Sequence, residues 1–115
     1  MSELKKLREL TADFLKVLGD STRLEMIDLL QNGEKTALEI KNALKKSQST
    51  ISKHLNLLAE NDLIGFEKKG NVKYYRIKNS EIIELINNIN AIVLNYNKEK
   101  LKEMQEAAIR DTLSP

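Results

Sequence analysis

Between Ser47 and Ile77 the spacing of apolar residues changes from that of a helix to that of strands. This change limits the folds that the chain can adopt. The first half of this segment has helical spacing over Gln48–Glu60. The stripe expected to be buried consists of Ile51, Leu55 and Leu58, with Leu57 at its edge. The polar residues that then face outward are Gln48, Ser49, Ser52, Lys53 and Asn56.

The second half of the segment alternates in the way that half-buried strands do. It predicts strands over Leu63–Lys68 and Val72–Ile77. Gly70 and Asn71 between them suit a tight primed turn, so the two strands are expected to form a hairpin with a basic tip. Tyr74 and Tyr75 should point to opposite faces of that hairpin. A polar helix beside a basic hairpin is suited to entering a DNA groove and gripping the backbone, which makes DNA binding the leading hypothesis.

The distribution of charge supports this hypothesis more than the net charge does. The formal net charge is only +2, but residues 41–78 contain nine Lys/Arg against three Asp/Glu. The rest of the chain contains 10 Lys/Arg against 14 Asp/Glu. A basic surface on an acidic body is typical of nucleic-acid binders. Charge alone leaves open the alternative of an ordinary solvated, lysine-rich surface.

Three more helices are predicted before this segment. The first begins around Leu4 and ends near Gly19, and the second is capped by Asp20 or Ser21. The third covers Ala37–Leu44, with Thr36 and Glu39 spaced as a capping box. After the fourth helix, Asn61 is expected to take the left-handed conformation that ends it.

The last helix is expected to open at Asn79 or Ser80 and to run to about Arg110. Its apolar stripe is too broad for one small core, so we expect it to form a homodimer interface with the first helix. The residues assigned to that interface are Leu4, Leu7, Ile82, Ile86, Ile89, Val93 and Tyr96. Packing of the whole stripe inside the monomer is the alternative. Residues 1–110 are thus expected to be a single domain, and 111–115 a flexible tail.

Several classes of protein are disfavoured by what the sequence lacks. Without cysteine there are no disulfides, thiolate metal sites or thiol redox switches. Charges interrupt the N-terminal residues and no stretch has the roughly 18 apolar residues of a membrane span, so a cytoplasmic protein is expected. The chain has one histidine, no glycine-rich phosphate loop and no carboxylate pair brought together by its pattern, so it is not expected to be an enzyme.

Three motifs, in this order and at this spacing, resemble the ArsR-type winged-helix repressors. They are Leu18–Leu24 (LGDSTRL), Gln48–Leu55 (QSTISKHL) and the hairpin from Gly70 to Tyr75. The resemblance covers roughly residues 10 to 96. It implies a mainly α fold with a small β-hairpin, a winged helix-turn-helix in the order α-α-α-α-β-β-α, whose long terminal helices form the dimer interface.

The resemblance also implies which residues meet DNA, because in that family the fourth helix reads the major groove and the hairpin contacts an adjacent groove or its phosphates. The positions on the helix are Gln48, Ser49, Thr50, Ser52, Lys53, His54 and Asn56, and those on the hairpin are Lys68, Lys69, Asn71 and Lys73. The chemistry agrees, since Gln pairs with adenine and Lys reaches guanine or phosphate. His54 lies beside the buried stripe and is equally expected to be structural, and Arg23 is favoured as an anchor of the second helix.

The chain departs from the family where many of its members sense metals. Those sites use cysteines on the third helix, or His with Asp/Glu on the last one. Here the third helix contains no thiol and the last contains no histidine, so neither metal sensing nor a cofactor is predicted. The expected function is a homodimeric repressor that binds a pseudo-palindromic operator, with an unknown effector. The alternatives are an architectural DNA binder of low specificity and a winged-helix module that binds another protein.

Overall fold

The computed structural model describes residues 2–113, which contain six helices and three short strands. In chain order they are α1 (Ser2–Leu18), α2 (Ser21–Leu30), β1 (Lys35–Thr36), α3 (Ala37–Leu44), α4 (Gln48–Glu60), β2 (Ile64–Lys69), β3 (Val72–Ile77), α5 (Glu81–Tyr96) and α6 (Lys98–Leu113). The chain divides into two compact units, the first ending at Ser80 and the second beginning at Glu81. Within residues 2–113, no helix combines the length and the apolar character needed to cross a membrane.

The starts of α2 and α3 are fixed by side chains that the sequence identified. Asp20 caps α2, because its carboxylate accepts the backbone N–H of Arg23 at 3.0 Å. At α3, Thr36 and Glu39 form the predicted capping box, with reciprocal hydrogen bonds of 3.0 and 3.1 Å. Three backbone N–H groups find side-chain acceptors locally in this way, so both predictions are confirmed.

The turn between α3 and α4 is short, and a residue within it ends α3 while another caps the start of α4. Lys45 takes the left-handed conformation, with φ 55°, and ends α3. Ser47 then caps α4 by accepting the N–H of Thr50 at 3.2 Å. This places α3 and α4 in the arrangement of a helix-turn-helix.

The core of the first unit lies where α2, α3, α4 and the start of β2 meet. Its most deeply buried side chains are Met26, Ile27, Ile40, Ile51, Leu55, Leu58, Leu63 and Ile64. The predicted stripe of α4 is confirmed, and Leu57 is half-buried at its edge. Burial of a large aliphatic side chain contributes on the order of 1.5–3 kcal/mol, so this stripe fixes which face of α4 remains outside.

The end of α4 differs from the prediction by one residue. Asn61 keeps φ at −98°, and Asp62 is the left-handed residue, with φ 58°. The N–H groups of Leu63 and Asp62 donate to the carbonyls of Leu58 and Ala59 at 3.0 and 3.1 Å. This is a Schellman ending, in which the left-handed position follows the C-cap. Asn61 occupies the C-cap and so the prediction was wrong.

The sheet is antiparallel with the strand order β1-β3-β2. The hairpin has the predicted tight connection at Gly70, with φ 67°, although β2 begins at Ile64 and not at Leu63. Strand β1 was not predicted; it pairs Thr36 with Tyr74. Two residues are too few to show an alternating pattern in the sequence. Tyr75 is buried and Tyr74 is half-buried, which agrees with their predicted opposite faces.

In the second unit, the single long helix of the prediction is divided into α5 and α6 at Asn97. The side-chain Nδ2 of Asn97 donates to the carbonyl of Val93 at 2.8 Å, and its backbone N–H donates to the same carbonyl at 3.1 Å. An asparagine that competes in this way for a helix carbonyl locally disturbs the ladder. The tail predicted from Asp111 is helical through Leu113, while residues 114 and 115 lie outside the described part of the chain.

Candidate nucleic-acid interface

The outward face of α4 carries the polar side chains that the sequence placed there. Burial of Ile51, Leu55 and Leu58 on one side leaves the opposite side to solvent. The exposed residues on it are Gln48, Ser49, Ser52, Lys53 and Asn56. They offer amide, hydroxyl and ammonium groups, which are the donors and acceptors that read base edges.

Thr50 and His54, which were predicted to belong to the same set, are only half-exposed and have partners inside the protein. The hydroxyl of Ser47 donates to Oγ1 of Thr50 at 2.8 Å, so Thr50 takes part in the cap of α4. Nδ1 of His54 lies 3.0 Å from Nη1 of Arg23. The structure therefore separates these two side chains from the fully exposed face, and it gives Arg23 contacts expected of an anchor.

The lysines of the hairpin lie on two different faces. Lys68 and Lys73 are directly opposite each other in the register of β2 and β3, whereas Lys69 is opposite Val72. Since side chains alternate along a strand, Lys69 points away from the Lys68–Lys73 pair. Like charges directly across two strands destabilise a sheet.

Lys69 has partners that Lys68 lacks. It forms a salt bridge with Glu34 in the turn after α2, and its ammonium lies 4.8 Å from the centroid of the Tyr74 ring. The hydrogen bond that Lys69 donates to the Glu34 carboxylate raises the pKa of Lys69 above its usual 10.5. Lys73 lies 4.5 Å from the centre of the Phe66 ring, and no ion pair joins Lys68 to any described residue. Lys68 is therefore the hairpin lysine whose charge is least engaged within the described residues.

Two neighbouring hollows connect α4 with the hairpin in the first unit, and both are lined by Ala37 and Leu38 of α3. The first also contacts Lys41, Gln48 and Ile51. The second, of about 540 Å³, is lined further by Thr36, Lys68, Asn71, Val72, Lys73 and Tyr75. Gln48 and the hairpin lysines 68 and 73 therefore border one continuous surface, with Leu38 at its centre.

Leu38 was not identified from the sequence. Its side chain is 62% exposed although it is apolar, and it lies between the two hollows. A single apolar residue among polar ones can contact a sugar or the methyl group of thymine. The sequence feature that could have identified Leu38 is its position in the first turn of α3, two residues before the buried Ile40.

The residues expected at a dimer interface differ in exposure. Leu4, Leu7, Ile89, Val93 and Tyr96 are exposed. Ile82 is half-buried, and Ile86 is 8% exposed. The interface set stays a prediction, and Ile86 is its least exposed member. Further exposed apolar residues are Leu10 and Leu15 on α1, Leu85, Ile92 and Leu94 on α5, and Leu101, Met104 and Ile109 on α6.

Within residues 2–113, no three side chains of His, Cys, Asp or Glu come together as metal ligands. The acidic side chain of α3, Glu39, is engaged in the capping box, where the N–H of Thr36 lowers its pKa below the usual 4.5.

Helices α3 and α4 joined by a tight turn, followed by the β2–β3 hairpin, define a winged helix-turn-helix protein. The profile of the family described as bacterial regulatory protein, arsR family, matches residues 20–65. The chain is also 38% identical over 78 residues to the arsenical resistance operon repressor of Staphylococcus aureus, an alignment that covers 68% of this chain and 75% of the relative. The protein belongs to the ArsR family, and the resemblance found in its motifs is confirmed.

Two further relatives show the breadth of the similarity. The transcriptional repressor SdpR of Bacillus subtilis is 35% identical over 72 residues, covering 63% of this chain and 80% of that protein. A homodimeric winged helix-turn-helix DNA-binding domain from Mycobacterium bovis, a possible ArsR-family transcriptional regulator, superposes with a TM-score of 0.70 at 27% identity. It covers 77% of this chain and 82% of the domain. The predicted fold is confirmed, and these relatives are named as transcriptional regulators.

Proposed function

We propose that this protein is a homodimeric transcriptional repressor that reads a pseudo-palindromic DNA operator with α4 and grips the flanking backbone with the β2–β3 hairpin. One observation supports this most strongly: Gln48 at the start of α4 and the lysines 68 and 73 border the same surface. A duplex lying against that surface would meet both at once.

The two parts of the surface have different tasks. The exposed side chains of α4 are short or flexible hydrogen-bonding groups, which suit base edges in the major groove. The hairpin offers ammonium groups and Asn71, which bind phosphate and sugar without reading sequence. Sequence preference is therefore assigned to α4 and general affinity to the hairpin.

The homodimer is supported by the apolar surface that each unit leaves exposed. On α1, Leu4 and Leu7 are both more than half exposed, and on α5, Val93 and Tyr96 are too. Monomeric soluble proteins rarely expose contiguous apolar patches of this kind. A two-fold dimer would present its α4 helices to half-sites about one helical turn, roughly 34–36 Å, apart. DNA as partner also implies a cytoplasmic location.

The signal that releases DNA is not proposed to be a soft metal. The relatives include arsenical resistance repressors, but this chain contains no cysteine. Arsenite requires thiolate ligands, which the sequence cannot supply. We therefore place this protein among the family members that respond to another effector, and we assign it no cofactor.

Selection of bound fragments from random DNA, at a stated salt concentration, tests the proposal. We expect enrichment of an inverted repeat whose half-sites are about one turn apart. A Ser52→Ala, Lys53→Ala variant is the matched control and should retain DNA without enriching that repeat. Retention of DNA by the wild type without any enriched sequence would support an architectural binder. No retention of DNA at low salt would support a protein-binding module.

A further inference from the structure

Arg23 completes the C-terminal end of α1, although it belongs to α2. Its Nε donates to the carbonyl of Val17, and its Nη2 donates to the carbonyl of Lys16 at 3.2 Å. The last carbonyls of a helix have no partner within the helix and carry its negative dipole end. A guanidinium that binds two of them caps α1 by charge as well as by hydrogen bonds.

The remaining face of the guanidinium reaches α4. Nη1 of Arg23 lies 3.0 Å from Nδ1 of His54, a residue 31 positions later in the chain. Because a guanidinium can only donate, Nδ1 of His54 must be the acceptor. The neutral imidazole then carries its proton on Nε2. One planar group therefore joins the end of α1 to the middle of α4.

The main chain of Arg23 is fixed as well. Its N–H is bound by the carboxylate of Asp20 at 3.0 Å, in the cap of α2. Both ends of the residue are thus held, and its bidentate geometry on α1 leaves the third contact little freedom. The link to His54 is rigid for that reason.

We propose that Arg23 and His54 are positioning residues, which set the rotation of α4 relative to the end of α1 without touching DNA. The inference rests on the proposed function. The apolar contacts of Ile51 and Leu55 hold α4 in place, but such contacts are not directional. A hydrogen bond has a preferred angle and distance and so resists a turn of the helix about its axis. Such a turn would displace Ser52 and Lys53 from the base edges.

A double-mutant cycle distinguishes this role from a direct DNA contact. The measured quantity is the ratio of affinities for an operator selected by the wild type and for a shuffled duplex of the same composition. His54→Ala should lower this ratio at least about tenfold, the lower end of what a hydrogen bond to a charged group contributes. Arg23→Gln should lower it by a similar factor, and the double variant should be no worse than either. Effects of the two variants that add would overturn the proposal.

His54→Asn is the control that rescues the link. Its Oδ1 can occupy the place of Nδ1 and accept from Arg23, while the Nε2 edge of the ring is lost. We expect it to restore the ratio to within about threefold of the wild type. A ratio as low as that of His54→Ala, in a variant shown by circular dichroism to be folded at the assay temperature, would assign His54 to DNA and overturn the proposal.

A measurement without DNA covers the case in which a variant does not fold. His54 is the only histidine of the chain, so its ring nitrogens can be assigned directly in a ¹⁵N–¹H correlation spectrum of the wild type. At pH 8 we expect the proton on Nε2 and an unprotonated Nδ1. A proton on Nδ1 would overturn the link itself. If instead the wild type does not discriminate between duplexes, the proposed function fails, and the positioning role fails with it.

Discussion

Replacing both Lys68 and Lys73 by alanine should weaken binding to every DNA sequence by a similar factor and flatten its dependence on salt. Lys68 and Lys73 are opposite each other in the strand register, so their side chains lie on one face of the hairpin, and they border the surface shared with Gln48. If each contacts one phosphate, a dimer loses four contacts. Each contact contributes about 0.9 to the slope of log affinity against log salt, so the slope should fall by about 3.6.

That change in slope is large enough to measure by fluorescence anisotropy. Between 50 and 200 mM salt, the decline in wild-type affinity should exceed that of the double variant by about two decades. The ratio of affinities for the selected operator and for a shuffled duplex should change little, because the hairpin contacts the DNA backbone and does not read the bases. Thermal unfolding should show no loss of stability from Lys68→Ala, since that substitution relieves the repulsion with Lys73.

Lys69→Ala is the matched control, with the same charge change one residue away. Its side chain lies on the other face and is bound to Glu34, so we expect less than half the change in slope of Lys68→Ala. An equal change for Lys69→Ala would refute the assignment of faces. A change in sequence preference larger than the change in affinity would refute the division of tasks between hairpin and α4.

Three further outcomes are expected. Ser52→Ala with Lys53→Ala should lower the operator ratio by about ten- to a hundredfold in the anisotropy assay, since a good base contact is worth about 1–3 kcal/mol. Asp20→Ala should cost about 1 kcal/mol in urea unfolding at pH 7 through loss of the α2 cap. The N–H of Arg23 lowers the pKa of Asp20 below 3.8, so this difference should persist above pH 3.8 and decline as the pH falls further; growth in acid would contradict it. Val93→Glu should shift sedimentation toward the monomer, and an unchanged dimer would place the interface elsewhere.

The parts of the fold that sequence alone predicted are those decided by neighbours in the chain. Asp20 and the Thr36–Glu39 pair bind backbone groups three residues away, so their spacing already contains the geometry. The buried stripe of α4 was equally accessible, because its spacing alone determines which side chains share a face. The exposed polar face follows directly from that stripe.

The parts that escaped prediction depend on residues distant in the sequence or on competition within a turn. The Glu34–Lys69 pair joins positions 35 apart, and nothing in either local sequence indicates it. The same is true of the division of the hairpin lysines between two faces, which needed the exact register of β2 and β3. At Asn97 the apolar stripe continues without a break, so its spacing does not indicate that α5 ends there.

Thr36 belongs to two elements at once. As the last residue of β1 it pairs with Tyr74 of the hairpin, and as the cap of α3 it begins the helix-turn-helix with no intervening loop. A pivot of the hairpin at this point would have to break either the strand pairing or the capping box. The distance between the base-reading face of α4 and the phosphate-binding lysines of the hairpin is therefore fixed by the fold. A related protein that acquired a new operator would change side chains along α4 and keep the same spacing on DNA.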